Sequence, residues 1–363
     1  MNKRELLRSA LAVAGTCVIA PGAMAAETIN LTVAAAHPAT TPWVRLMAEQ
    51  FVPEVRERVA ALGPGWSTQI SEFYGGQLYK MNASLTSVSD GIADIGWVLA
   101  PAEPARLPLS QFSAAMPFAS ADLRAVLAVV NEMNDSVPEL AEEWDRNGLV
   151  FLGAVVSDPY HLFTRTPLQG FAQLQGLRIS VPGALGQWLK GSGAVAVDGA
   201  LTSYYTDIQT GVSDGTISVT SGVVPLRIHE VAPHVSLVDV GCMYAGGLVM
   251  NKGRFQSMPA QVQGILREAG RHYSASTGEA MSRAYDGGLK ALEAMTTRQP
   301  NPVTLNRWPQ AQRLAWARSL PNLAGDWVSH QRSPEAARRI VHAYLEGLRR
   351  RGAQPLRDWA LSL

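Results

Sequence analysis

Apolar positions along the 363-residue chain switch between two periods. TINLTVAAAHP (28–38) and WSTQISEFYGG (66–76) alternate as half-buried strands do, and the second stops at a glycine pair. Between them PWVRLMAEQFVPEVRER (42–58) spaces Leu46, Met47, Phe51 and Val55 for one helix face, with Pro53 as a kink point. MNASLTSVSDGIADIGWV (81–98) predicts a helix ending near Gly91, then a strand. The stretch 119–148 reads as helix broken near Pro138, with Asp122 or Ser120 as its cap. Strand–helix–strand at the start predicts an α/β sheet.

The middle of the chain holds short strand-like runs: VFLGAVV, YHLFTR, LRISV, AVAV, TISVTS, VSLVDV and GGLVMN. From Met258 to Met295 the spacing is helical throughout, with Val262, Ile265, Leu266, Ala269, Tyr273, Met281, Leu289 and Leu292 in the stripe. Ser257 is its expected cap, with Pro259 in the first turn. A helix of that length extends about 55 Å, more than one lobe's diameter, so it should bridge two lobes or bend. A last helix is expected from Ser333, carrying Ile340, Val341, Tyr344 and Leu348. No repeat or low-complexity linker separates the halves. The lobes are therefore expected to interweave, 26–157 with 244–283 forming lobe I and 158–243 with 284–363 forming lobe II.

Composition narrows the class. Apolar residues make up 47% and charged residues 17%, which suits a globular fold and argues against disorder. A formal charge of +1 leaves no electrostatic footprint for nucleic acid. The RRR at 349–351 reads as a solvated helix end. Residues 1–25 differ: a basic start, a short apolar core and an Ala-x-Ala ending predict a secretory leader cleaved after Ala25. The apolar run falls short of the ~20 residues that span a bilayer. Loss of Lys3, Arg4, Arg8 and Glu5 removes a net +2 and leaves the exported chain near −1. Cys242 then remains as the sole cysteine, expected to be buried and inert.

Catalytic and metal signatures are missing. There is no Gly-x-Ser-x-Gly elbow, phosphate loop or dinucleotide fingerprint, and no cofactor is called for. His229 and His234 in HEVAPH lie five apart around Pro233, which does not put two rings on one helix face for zinc. Glu142 and Glu143 read as solvated charges on a helix.

Several segments taken in order resemble one family, the solute-binding proteins of tripartite ATP-independent periplasmic (TRAP) transporters. They are GGQLY (75–79), VSDGIADIGWV (88–98), MPF (116–118), LQGLRISVPG (174–183), SYYTDIQTGVSDG (203–215), HEVAPHVSLVD (229–239) and LVMNKGRFQSMPAQVQGILREA (248–269). The resemblance spans roughly residues 28 to 330. Tyr205, Gln209, Gly211, Asp214 and Gly215 are its most specific part. It implies a two-lobed α/β periplasmic binding protein with a central cleft, crossing strands and a lobe-spanning helix. The implied function is non-enzymatic: capture of a small organic solute, lobe closure and delivery to membrane permease subunits.

The chain departs from that family at its charged positions. Where the family's Arg-Val-Pro arginine clamps a ligand carboxylate, this sequence has Ser180, and Arg178 falls where the family has lysine. The family's second arginine, twenty residues earlier, corresponds to Tyr160. Losing such a buried pair costs about 2–5 kcal/mol, which disfavours a simple carboxylate. The expected solute is neutral or cationic, held by the faces of Trp97, Tyr160 and Tyr205 and by hydrogen bonds from His37, Ser180 and Ser218, with Tyr79 narrowing the cleft. A periplasmic sensor, an unusual carboxylate binder and an exported hydrolase are the alternatives.

Overall fold

The computed structural model describes residues 27–363, so the expected leader lies outside the described residues. Eleven strands follow in chain order among these residues. The first four are β1 (Glu27–Ala34), β2 (Trp66–Phe73), β3 (Ile95–Leu99) and β4 (Leu149–Val156). Next come β5 (Tyr160–Thr164), β6 (Arg178–Val181), β7 (Val195–Asp198) and β8 (Gly215–Val219). The last are β9 (His234–Leu237), β10 (Tyr244–Asn251) and β11 (Thr304–Arg307). They form a five-stranded sheet, order β2-β1-β3-β10-β4, and a six-stranded sheet, order β11-β9-β5-β8-β6-β7. Each sheet is the centre of one lobe, as expected of this α/β pattern.

Three connections join the lobes before β11, and the chain crosses once more between β11 and the helix Pro334–Arg350. The chain leaves lobe I after β4 through Ser157–Pro159 and returns between β9 and β10. These two segments pair with each other: the Tyr160 and Ser157 amides donate to Gly241 O (3.1 Å) and Met243 O (2.9 Å), and the Val240 amide to Tyr160 O (3.1 Å). The third connection is the helix Ala260–Met295, about 54 Å long at 1.5 Å per residue. Its first half packs on lobe I through Val262, Leu266 and Tyr273, and its last turns reach lobe II through Leu292. Close approach on lobe I needs two glycines: a Cβ on Gly270 would lie 2.5 Å from Leu152 O, and one on Gly153 would overlap Gly270 O.

Local chemistry accounts for several helix starts. Asp122 accepts from the Ala125 amide (3.0 Å) and starts the helix Leu123–Ser136; Pro138 opens the next, Pro138–Arg146. Ser333 caps the helix Pro334–Arg350. Pro53 lacks an amide hydrogen, and the turn before it, Met47–Phe51, widens into a π-turn while the helical path continues to Ala60. Ser257 does not cap the long helix. Its hydroxyl donates to Arg254 O at the end of the short helix Lys252–Gln256, and Pro259 takes the cap position.

Two further sequence expectations change. Glu143 is not solvated: it is buried, and its carboxylate accepts from the Leu109 amide (2.6 Å), the Ser110 amide (2.9 Å) and the Ser110 hydroxyl (2.7 Å), whereas Glu142 stays exposed. The helix periodicity places Glu143 beside buried Leu140 and Trp144, which turns it inward. The triple arginine is the exposed helix end the sequence suggested, with surface ion pairs from Arg349 to Asp358 and from Arg350 and Arg351 to Glu132. The helix Pro334–Arg350, divided from sequence with lobe II, lies on the lobe I helix Leu123–Ser136, where Gly347 meets Val129 and Tyr344 stacks edge-on to Phe112. One continuous core consequently spans both lobes, joined where the Trp188 indole donates to Ala114 O (2.7 Å) and the Trp316 indole to Trp188 O (2.8 Å).

Glu143→Ala strands three buried donors, each costing about 1–3 kcal/mol. Its denaturant midpoint is expected to fall clearly, while Glu142→Ala stays within about 0.5 kcal/mol of the parent. Equal midpoints for the two variants would refute the buried role.

Candidate ligand cleft

Topology fixes where a ligand site can lie. β3 and β4 both run antiparallel to β10, so β4 points the same way as β3, β1 and β2. β4 leads directly into the first crossing; the carboxyl ends of lobe I's parallel strands therefore face lobe II. β5 starts at that crossing and runs antiparallel to β8, which is parallel to β6, itself parallel to β7. Their carboxyl ends thus face back toward lobe I. Open α/β sheets bind ligands in the crevice outside such strand ends.

On the lobe I side, three rings meet. His37 lies beyond the end of β1, Trp97 lies within β3, and Trp43 is in the first turn of the helix Pro42–Leu46. The His37 ring stands edge-on to Trp43 (5.2 Å) and to Trp97 (5.1 Å), and the two indoles are 5.4 Å apart. The edge-to-face geometry suits the ring quadrupoles. His37 Nδ1 and the indole nitrogens of Trp43 and Trp97 have no hydrogen-bond partner among the described residues. Burial pushes the His37 pKa down to about 4, so the imidazole is neutral at neutral pH. The cluster is an uncharged aromatic wall with unused hydrogen-bonding capacity.

The other expected residues do not all join this wall. Tyr79 is buried inside lobe I; its hydroxyl donates to Ala34 O (2.7 Å) over Gly96, on the sheet face opposite Trp97, and burial pushes its pKa up. Tyr160 opens β5 at the crossing, edge-on to Trp188 at 5.3 Å, with burial again raising its pKa. Ser180 is fully buried, 2.8 Å from the Ser213 hydroxyl. Register pairs Ser180 with Thr216 and Tyr160 with Val219, so alternation along β8 puts the two side chains on opposite faces of the sheet. Ser218 shares the Ser180 face, opposite His161 in the β5–β8 ladder. Tyr205 is half-buried at the rim of the lobe II core, on the helix Tyr204–Gln209.

Arg178 is occupied elsewhere. Its guanidinium donates to Asp214 Oδ2 (3.1 Å), Asp214 Oδ1 (2.8 Å) and Gly211 O (2.7 Å), and the Asp214 amide returns a bond to Arg178 O (2.7 Å). That clasp holds the Asp214 carboxyl below its usual range and fixes the turn into β8. Gly211 takes φ +78° there, and a Cβ on Gly215 would overlap Phe163 O. The most specific motif of the sequence therefore builds this turn.

Sequence reasoning missed Trp43, Asp158 and Ser221. Asp158, in the first crossing, is fully buried yet pairs with no cation among the described residues. It accepts from the Ser221 hydroxyl (2.6 Å), the Ser221 amide (3.1 Å) and the Thr220 hydroxyl (3.2 Å), and burial pushes its pKa up. The available signal was an acidic residue between two apolar strands in VVSDPYHLF. The segments just beyond β1, β3, β6, β7 and β8 (35–43, 100–104, 182–187, 199–204 and 220–226) contain no lysine or arginine. After β2, Lys80 folds back onto Gly76 O (3.2 Å).

Comparison with known proteins agrees with this architecture. Residues 33–321 match the bacterial extracellular solute-binding proteins, family 7 (DctP). A solute-binding protein of Sulfitobacter sp. (strain NAS-14.1) is 28% identical over 227 residues, 62% of this chain and 67% of that protein. The fold is similar to that of a TRAP solute-binding protein from Rhodoferax ferrireducens T118 in complex with copurified benzoate (TM-score 0.74, 19% identity, 89% of this chain and 98% of that one). It is also similar to one from Sulfitobacter sp. NAS-14.1 with bound β-D-galacturonate (TM-score 0.69, 18% identity, 87% and 99% covered). Two sheets with facing carboxyl ends, a paired double crossing and a bridging helix are thus accompanied by a match over most of the sequence, and the chain belongs to the bacterial extracellular solute-binding proteins of family 7, the DctP family of TRAP solute-binding proteins.

Proposed function

We propose that the chain is exported, loses its leader, captures a small neutral or cationic organic solute between its lobes and delivers it to TRAP permease subunits. The family and its structural relatives are solute-binding receptors rather than enzymes. The observation that carries the charge reading is the state of Ser180 and Tyr160. Neither position supplies a guanidinium, Ser180 is paired to Ser213, and Arg178 is held by Asp214. Structural relatives hold the acids galacturonate and benzoate. Here the wall at the end of β1 is uncharged and aromatic, which favours a solute that accepts or donates hydrogen bonds while covering ring faces. Pairing of the two crossing segments, with the long helix beside them, provides a hinge about which the lobes close.

A thermal-shift screen of the leaderless protein tests the charge reading. Amines, amides and polyols are expected to stabilise it, by about 2.7 kcal/mol at a concentration 100 times Kd. Strong shifts with benzoate and succinate but none with those solutes would sink it. Trp43→Phe keeps an apolar face and removes a donor that has no protein partner. It should leave the unliganded Tm within a few degrees while weakening the best solute about tenfold, the value of one hydrogen bond; unchanged affinity would place Trp43 outside the site. Arg178→Ala should lower the denaturation midpoint slightly without altering which solutes bind, and a change in selectivity would contradict its assignment to the turn.

A further inference from the structure

The end of β8 carries a hydroxyl whose proton is already assigned. A serine hydroxyl has one donor hydrogen and two acceptor lone pairs, whereas an ionised carboxylate only accepts. Ser221 Oγ lies 2.6 Å from Asp158 Oδ1, and the Ser221 amide and the Thr220 hydroxyl point their hydrogens at Asp158 Oδ2. Both carboxylate oxygens accept, Oδ1 from the Ser221 hydroxyl and Oδ2 from the Ser221 amide, while the Thr220 hydroxyl is shared between Oδ2 and Tyr285 O (3.3 Å). Ser221 Oγ therefore has only acceptor capacity left. Asp158 and Thr220 are fully buried, but Ser221 is half-exposed, two residues past the carboxyl end of β8, on the side of lobe II that faces lobe I.

We propose that Ser221 is a specificity-determining residue of the cleft, positioned by Asp158 so that it receives only a hydrogen-bond donor from the solute: an ammonium, amide N–H or hydroxyl. This rests on the reading of the cleft given above and narrows it to donor-bearing solutes. A carboxylate oxygen brought to the same place meets lone pairs facing lone pairs, with the charge of Asp158 behind them. Asp158 touches no solute in this arrangement. It acts by fixing the direction of the Ser221 hydroxyl, and the backbone bond from the Ser221 amide fixes the position of Ser221 as well. The first cations beyond β6, β7 and β8 are Lys190 and Arg227, and Arg227 is paired with Glu230 (2.8 Å).

The test is calorimetric titration of the leaderless protein with ethanolamine, glycerol, acetamide, benzoate and succinate, repeated on Ser221→Ala and Asp158→Asn. At least one of the first three is expected to bind the parent and to lose about tenfold or more in affinity in Ser221→Ala, the effect of one hydrogen bond to a polarised partner. Asp158→Asn releases the hydroxyl to donate. It should weaken the same probe while raising the affinity for succinate or benzoate, a reversal that mere loosening of the fold does not produce. Unliganded melting temperatures separate folding damage from loss of contact, and Ser221→Ala leaves the Asp158 carboxylate two of its three donors. A donor-bearing probe that binds all three proteins alike overturns the assignment of Ser221 and leaves the reading of the cleft intact. Tight binding of succinate or benzoate to the parent overturns that reading itself. No binding by any donor-bearing probe at millimolar concentration overturns the proposal.

Discussion

The paired crossing between the lobes is the constraint on which the rest depends. Backbone bonds from Tyr160 to Gly241 and from Ser157 to Met243 lock two chain segments side by side where the chain passes from one sheet to the other and back. Because β4 enters that crossing and β5 leaves it, every parallel strand in either lobe must end facing the gap. The long helix then has to span two lobes, and it can lie close to lobe I only where Gly153 and Gly270 remove side chains from the contact. Site position, hinge and helix length all follow from one chain path.

Much of that path was legible in the sequence because strands and helices repeat with different periods. The runs around β1, β4, β5, β8 and β10 and the stripe of the long helix mark elements whose faces must be buried, and they stand where the pattern put them. Legibility ended where the pattern names a buried face but not its partner. The helix Pro334–Arg350 has a strong apolar stripe, yet nothing in the stripe says that Gly347 will meet Val129 on lobe I. Glu143 illustrates the complementary gap. A carboxylate on a charged helix looks solvated unless one knows that the amides of Leu109 and Ser110 arrive from the start of a 3-10 helix more than thirty residues away.

The candidate site was legible at the level of charge and less so at the level of contact. That positions 160 and 180 carry no arginine is read directly from the sequence, whereas the pairing of Arg178 with Asp214, 36 residues further on, is not. The aromatic wall was half visible. His37 and Trp97 stand where the sequence marks expected cleft positions, while Trp43 lies in the first turn of a helix, where the pattern does not single it out. Tyr79 was read as lining the cleft, because a strand-end motif says where the backbone turns and not to which face the following side chain swings.

Those charge changes are connected through Asp158. A carboxylate taken out of water is costly unless it is paired or well hydrogen-bonded. With arginine at position 160, two residues away, a counter-charge would stand close by: the phenol of Tyr160 already feels Asp158, whose charge helps raise its pKa. With tyrosine there the carboxylate must draw on neutral donors, and the closest are the amide and hydroxyl of Ser221 and the hydroxyl of Thr220. On the proposed reading, the absence of a guanidinium leaves Asp158, in the crossing between the lobes, with neutral donors alone and turns the Ser221 hydroxyl toward it, so that this hydroxyl offers lone pairs to the cleft.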